Sequence, residues 1–108
     1  MDDIKVAQMI NKHIIVGITI KNHDGTLLEQ KQMHGDIIRI NEKEGIVIKL
    51  HNSDTEYKLP PHLNSVQVAP EGEYRFKSTG EIVVNPDFMT SWTITRPALN
   101  EVRFKDEW

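Results

Sequence analysis

The sequence predicts an all-β fold: a small barrel or a strongly bent antiparallel sheet, preceded by a short N-terminal helix and followed by a C-terminal β-meander. Two observations carry this expectation. Ile14, Val16, Ile18 and Ile20 fill alternate positions, as do Ile38 and Ile40, and then Ile46, Ile48 and Leu50. A period of two puts one strand face on a core and the other in water. Turn signals (Asp24-Gly25, Gly45, Pro60-Pro61, Pro70, Gly80, Asn85-Pro86) also recur at short intervals, the spacing of many short strands.

Each element has its own reason. Asp2 or Asp3 caps a helix within residues 2–12, where Ile4, Ala7 and Ile10 recur every third position. It is short, so it must pack on the sheet to persist. His13 through Lys21 is rich in β-branched residues and forms the first strand. Asn22-His23-Asp24-Gly25 is a turn, with Asp-Gly where positive φ is needed. Thr26 through Asn41 is a long, bent second strand, and Gly35 in its middle marks a bulge or a corner. Asn41 to Gly45 connects it to a third strand, Gly45–Leu50, so that Ile38 and Ile40 face the core with Ile46, Ile48 and Leu50.

After the turn His51–Asp54, Glu56 to Leu59 is a short strand ended by Pro60 and Pro61, which donate no ladder hydrogen bond. Further short strands run from Ser65 to Ala69, through Tyr74 and Phe76, from Glu81 to Val84, and from Thr90 to Thr95, where Trp92 and Ile94 share a face. Alternation assigns Tyr74, Phe76 and Trp92 to a core. A tail from Pro97 carries Leu99, Val102, Phe104 and Trp108. The chain reads as one domain over residues 1–108, and the one internal division it admits lies near Pro70, between a barrel at 1–69 and an appended meander and tail at 70–108.

Composition excludes several chemistries. The 108 residues contain no cysteine, so there is no disulfide, thiolate metal site or thiol nucleophile. The net charge of −3 lacks the basic excess that supplies non-specific nucleic-acid affinity. Met1-Asp2-Asp3-Ile4-Lys5 has neither the basic start nor the long apolar run of a secretory signal, and the apolar stretches are strand-sized. The expectation is a soluble cytoplasmic protein with no membrane partner.

The order of helix, apolar strand, Asp24-Gly25 turn, bent strand with Gly35 at its centre, and hairpin is similar to the small SH3-like barrels, including the Sm-like family, over residues 4–69. That resemblance implies a barrel. Sm-like proteins usually bind RNA and assemble into rings, with an acidic residue and an asparagine in one loop and an Arg-Gly pair in a later one. Here the loop after Ile40 is Asn41-Glu42-Lys43-Glu44 and no Arg-Gly pair occurs, so the family's RNA-contacting residues do not carry over.

The chemistry-bearing residues form no catalytic motif. The 5 histidines, His13, His23, His34, His51 and His62, raise the question of a metal, and several fall near strand ends where a barrel would gather them. They have no helical ligand spacing and no His-Glu-x-x-His motif, and read as scattered turn and edge residues. Lys77-Ser78-Thr79-Gly80 lacks the preceding glycines of a phosphate loop and is a hairpin turn. Glu29, Asp36, Glu42, Glu44, Asp54 and Glu56 fall on turns or strand faces as a solvated charged surface. No catalytic, cofactor or metal residue is assigned.

The functional expectation is therefore a non-catalytic protein-interaction module, self-association included, which uses an open sheet edge and late apolar residues: Phe88, Met89, Phe104 and Trp108. An inhibitor of another protein is a subclass of it. One alternative is an RNA- or single-strand-binding barrel with Arg39, Lys49, Lys58, Arg75 and Lys77 as a basic stripe and Tyr74 or Phe76 as stacking rings. Another is a small metal-dependent or acid/base enzyme that draws on the histidines and carboxylates.

Overall fold

The computed structural model describes residues 2–97. Its elements are α1 (Asp3–Met9), β1 (His13–Lys21), β2 (Leu27–Asn41), β3 (Gly45–Leu50), β4 (Glu56–Leu59), a 3-10 turn (Leu63–Ser65), β5 (Gln67–Val68), β6 (Glu73–Arg75), β7 (Ile82–Val84) and β8 (Phe88–Thr95). Six strands form one sheet in the order β4-β3-β2-β1-β8-β5, and β6 with β7 forms a separate two-stranded sheet. The fold is all-β with one short helix, as the alternation requires. The barrel does not close, because β4 and β5 are the two ends of the sheet.

The sheet is mixed where an antiparallel one was expected. β1 pairs antiparallel with β2, but β8 lies parallel to β1 on its other side, with Ile14 opposite Phe88 and Ile18 opposite Trp92. A parallel neighbour needs a long crossover. The chain from Pro60 to Asp87 supplies it, running through the 3-10 turn, β5 and the β6–β7 hairpin before β8 returns beside β1. The expected meander is thus a crossover that completes the main sheet. The start of β8 is clamped to the start of β1: the His13 N–H donates to Asp87 Oδ2 at 3.0 Å and the Asp87 N–H to the His13 carbonyl at 3.0 Å.

One sheet face carries the principal core: Met9, Ile14, Val16, Ile18, Ile37, Ile46, Ile48, Leu59, Leu63 and Val66. Burying each such side chain contributes about 1.5–3 kcal/mol before entropy is counted. The phase expected for β2 is corrected by one residue. Ile37 is fully buried, Ile40 is half-buried against the core, and Ile38 sits at a register shift between Ile37 and Arg39. A bulge inserts an unpaired residue and changes which residues face inward.

The helix is also shorter than expected. Asp2 caps it, its carboxylate accepting from the N–H groups of Ile4 and Lys5, but the chain is already extended at Ile10. Ile4 and Ala7 are exposed, and Val6, Met9 and Ile10 make the core contacts.

The opposite sheet face is partly covered too. Ile15, next in line to the core-facing Ile14 and Val16, packs with Phe76, Val83 and Tyr74 of the β6–β7 hairpin in a second, small core. Phe76 is a core residue as alternation predicts, with Tyr74 and Trp92 half-buried. Val66 is buried, whereas Val68 is exposed at the sheet end. Among the described residues no helix is long and apolar enough to cross a membrane.

Candidate functional site

The antiparallel register of β1 and β2 sets His13 opposite Asp36 and Ile15 opposite His34, which places both histidines on the face that the β6–β7 hairpin covers. His51 follows β3, and its backbone N–H donates to the His34 carbonyl at 2.9 Å, so its ring lies over that of His34 with centroids 4.6 Å apart and planes 28° from parallel. Glu81 comes from the turn before β7. Its own N–H donates to Thr79 Oγ1 and its carbonyl accepts from Phe76 N–H, which fixes the carboxylate at the sheet surface.

These residues form a continuous chain of contacts. Asp36 Oδ1 lies 2.8 Å from His13 Nδ1, His13 Nε2 lies 2.7 Å from His34 Nδ1, and His34 Nε2 lies 2.7 Å from Glu81 Oε2. A carboxylate accepts and does not donate, so Asp36 holds the proton of His13 on Nδ1. By the same rule Glu81 draws a proton onto His34 Nε2, and the His13 Nε2–His34 Nδ1 contact between them then needs one more proton than two neutral rings carry. His34 is buried at 8% exposure and meets the edge of Phe76 at 5.5 Å, whereas Asp36, Glu81 and His51 reach the surface. The ring nitrogens of His51 take no hydrogen bond among the described residues.

The reading of the histidines as scattered residues is therefore corrected for three of them. Register and strand ends bring His13, His34 and His51 together, while His23 stays in its turn beside Asn22, and His62 lies against Trp92 with centroids 5.8 Å apart. No sequence motif marks the cluster, because its members belong to strands that meet only through long-range pairing. The signal that was present is weaker: a histidine at the start of β1, one in the bent half of β2, and one just past β3.

A second feature is the outer edge of β2. β3 pairs with β2 only from Gly35 to Asn41. Among the described residues, the stretch from Leu27 to Met33 has β1 on one side and no strand on the other. Leu27 and Leu28 are exposed at 54% and 46%, and Glu29 and Lys31 are exposed without an ion-pair partner among the described residues.

The residues expected to bind a partner are placed differently. Phe88 and Met89 are half-buried in the start of β8, between β1 and β5, with Phe88 against the principal core. Phe104 and Trp108 lie outside the described residues. The basic stripe is interleaved with acids. Arg39 donates to Glu44 at 2.7 and 2.9 Å and to Glu56 at 2.8 and 3.3 Å, and Lys58 stands 3.6 Å from Glu44. The Arg39 hydrogen bonds, followed by one from Asn41, hold the Glu44 carboxyl at about 2, far below its ordinary value. They also lower Glu56 and raise Arg39. Phe76 is 3% exposed, and Tyr74 donates its hydroxyl to the Pro70 carbonyl, so neither ring is an open stacking platform.

No family model, curated protein or solved structure matches this chain.

Proposed function

We propose that the chain is a protein-interaction module that self-associates by adding the free stretch of β2 to the same stretch of a second copy. The observation that carries this reading is the edge from Leu27 to Met33, which no strand covers among the described residues. An extended edge recruits a strand through its main-chain hydrogen bonds, and side chains set the register. Charges on an edge ordinarily discourage such pairing.

Here the charges are self-complementary. In an antiparallel two-fold pairing centred on Gln30, Glu29 stands opposite Lys31 of the second copy, and Lys31 opposite its Glu29. Leu27 and Met33 also face each other across this register. Each opposite-charge pair contributes roughly 0.2–1 kcal/mol. A register slipped by one residue forfeits both pairs, so the charges select one alignment and disfavour the rest.

Sedimentation equilibrium over a wide concentration range tests this. The wild type is expected to dimerise, Glu29→Lys and Lys31→Glu alone to weaken the dimer, and the double exchange of both charges to restore it. A wild type that stays monomeric, or a dimer indifferent to the single reversals, overturns the proposal.

A further inference from the structure

We propose that His34, His51 and Glu81 form a binding site for one divalent transition-metal ion of the zinc class, with His13 and Asp36 as its positioning residues. This is independent of the self-association reading and rests on a different part of the molecule.

The geometry suits an ion. One ligand atom from each of His34, His51 and Glu81 lies within 4.8 Å of the others. Tetrahedral zinc with nitrogen and oxygen ligands at about 2.0–2.1 Å sets roughly 3.3 Å between neighbouring ligand atoms. Reaching it asks the 2.7 Å contact of His34 with Glu81 to open by about half an ångström. It asks His51, whose ring is exposed and makes no hydrogen bond among the described residues, to move in. The protein thus holds one buried, fixed ligand and two adjustable ones at the surface, which is also the path of entry. Two imidazoles and a carboxylate favour zinc, nickel or copper over the all-oxygen ions.

The hydrogen-bond inventory points the same way. Three contacts link Asp36, His13, His34 and Glu81 in series. Two neutral imidazoles bring two protons for these three contacts, so the series is one positive charge short. A cation between His34 Nε2 and the Glu81 carboxylate supplies it, with both protons then held between Asp36 and His34. A metal ion there binds both atoms. The rest of the chain is then already in the form a metal-bound histidine uses, its second ring N–H donated outward to an acceptor that is itself oriented by a carboxylate. Three ligands leave a fourth position, facing solvent beside Glu81 and His51, for water.

The ion would join β2, the end of β3 and the β6–β7 hairpin. The test is titration of the metal-stripped full chain with Zn2+ by calorimetry and with Co2+ by visible absorption, alongside 15N shifts of the histidine rings. One ion per chain, a raised melting temperature and a displaced His34 Nε2 signal are expected. His51→Gln and Glu81→Gln should each weaken binding about tenfold or more. The amide introduced by Glu81→Gln still hydrogen-bonds His34, so loss of affinity there is not loss of the hairpin contact. Asp36→Asn should weaken binding about tenfold without removing a ligand, and shift the tautomer signal of His13. His23→Asn should leave binding unchanged. Absence of saturable one-to-one binding overturns the proposal, as does an affinity indifferent to His51→Gln and Glu81→Gln, or one that falls equally with His23→Asn.

Discussion

Gly35 and Lys49 approach so closely that a methyl group added to Gly35 would stand 2.1 Å from the Lys49 carbonyl oxygen. The constraint is proximity between the backbones of β2 and β3, at the point where their pairing begins with Gly35 opposite Leu50. Gly35→Ala is expected to destabilise by on the order of 3 kcal/mol, because a backbone oxygen has nowhere to yield. Gly17→Ala is the control. Its added methyl would meet only Ser91 Oγ at 3.6 Å, an ordinary contact, so its effect should be near zero. Urea unfolding of the two variants checks the contrast, and equal stabilities would refute it. His34 precedes Gly35, so its ring signals should shift in Gly35→Ala and not in Gly17→Ala.

The bulge in β2 makes a sharper prediction about neighbouring isoleucines. Ile37 has no exposed surface, while Ile38 is only partly buried at the register shift. Ile37→Ala should cost about 2–5 kcal/mol through lost burial and a cavity. Ile38→Ala should cost less, since Ile38 belongs to neither core and keeps part of its surface exposed. Chemical denaturation midpoints decide it. A larger loss for Ile38→Ala would mean that simple alternation through Ile38 and Ile40 describes the strand after all.

A second bulge, early in β2, marks where the sequence stops being legible. The alternation of Ile14, Val16 and Ile18 reports a local property and survives into the fold. Register does not. Next to the Asp24-Gly25 turn, Lys21 pairs with Leu27, a sum of 48, but from Ile20 and Glu29 onward the sum is 49. Continued at 48, the ladder would set His34 opposite Ile14, on the face of the principal core. The bulge at Leu28 sets it opposite Ile15, on the face the hairpin covers, because a one-residue slip exchanges the two faces of a strand. The histidine cluster thus depends on a single inserted residue that no propensity announces. Likewise, the parallel placement of β8 rests on backbone pairing between Ile14–Lys21 and Phe88–Thr95, segments far apart in the chain, and no local signal sets it. The charge pattern of Glu29 and Lys31 stood in the sequence, but it acquires meaning only once β3 is seen to leave that edge uncovered.

The ion-pair network around Arg39 predicts a pH dependence. Glu44 titrates at about 2 in the folded protein instead of its ordinary 4.5, chiefly because Arg39 donates to it. A carboxyl with a lowered folded value stabilises fully above its unfolded value and loses that contribution as pH falls toward the folded one. The stability difference between wild type and Glu44→Gln should therefore be constant near neutrality, shrink between about pH 5 and pH 2, and vanish below. Glu56, also lowered by Arg39, adds to the slope that remains in the variant. Thermal melts of both proteins at a series of pH values provide the measurement. A gap that stays constant into strong acid would show that Glu44 contributes through packing instead of charge.

The second core predicts a local event. Phe76 is 3% exposed and packs on Ile15 and Val83, and its ring meets His34 edge-on at 5.5 Å. The hairpin it belongs to is a two-stranded sheet of its own, and such a sheet is marginal unless it packs on something. In a deep core, Phe→Ala costs about 3–5 kcal/mol of global stability. Here Phe76→Ala should first release β6 and β7 as a unit, since low-stability segments open without the rest. Amide exchange at Glu73–Arg75 and Ile82–Val84 should accelerate strongly in the variant, while Ile14, Val16, Ile46 and Ile48 keep most of their protection. If every amide loses protection to the same degree, the hairpin and the principal core unfold as one cooperative body, and Ile15 is the residue that couples them.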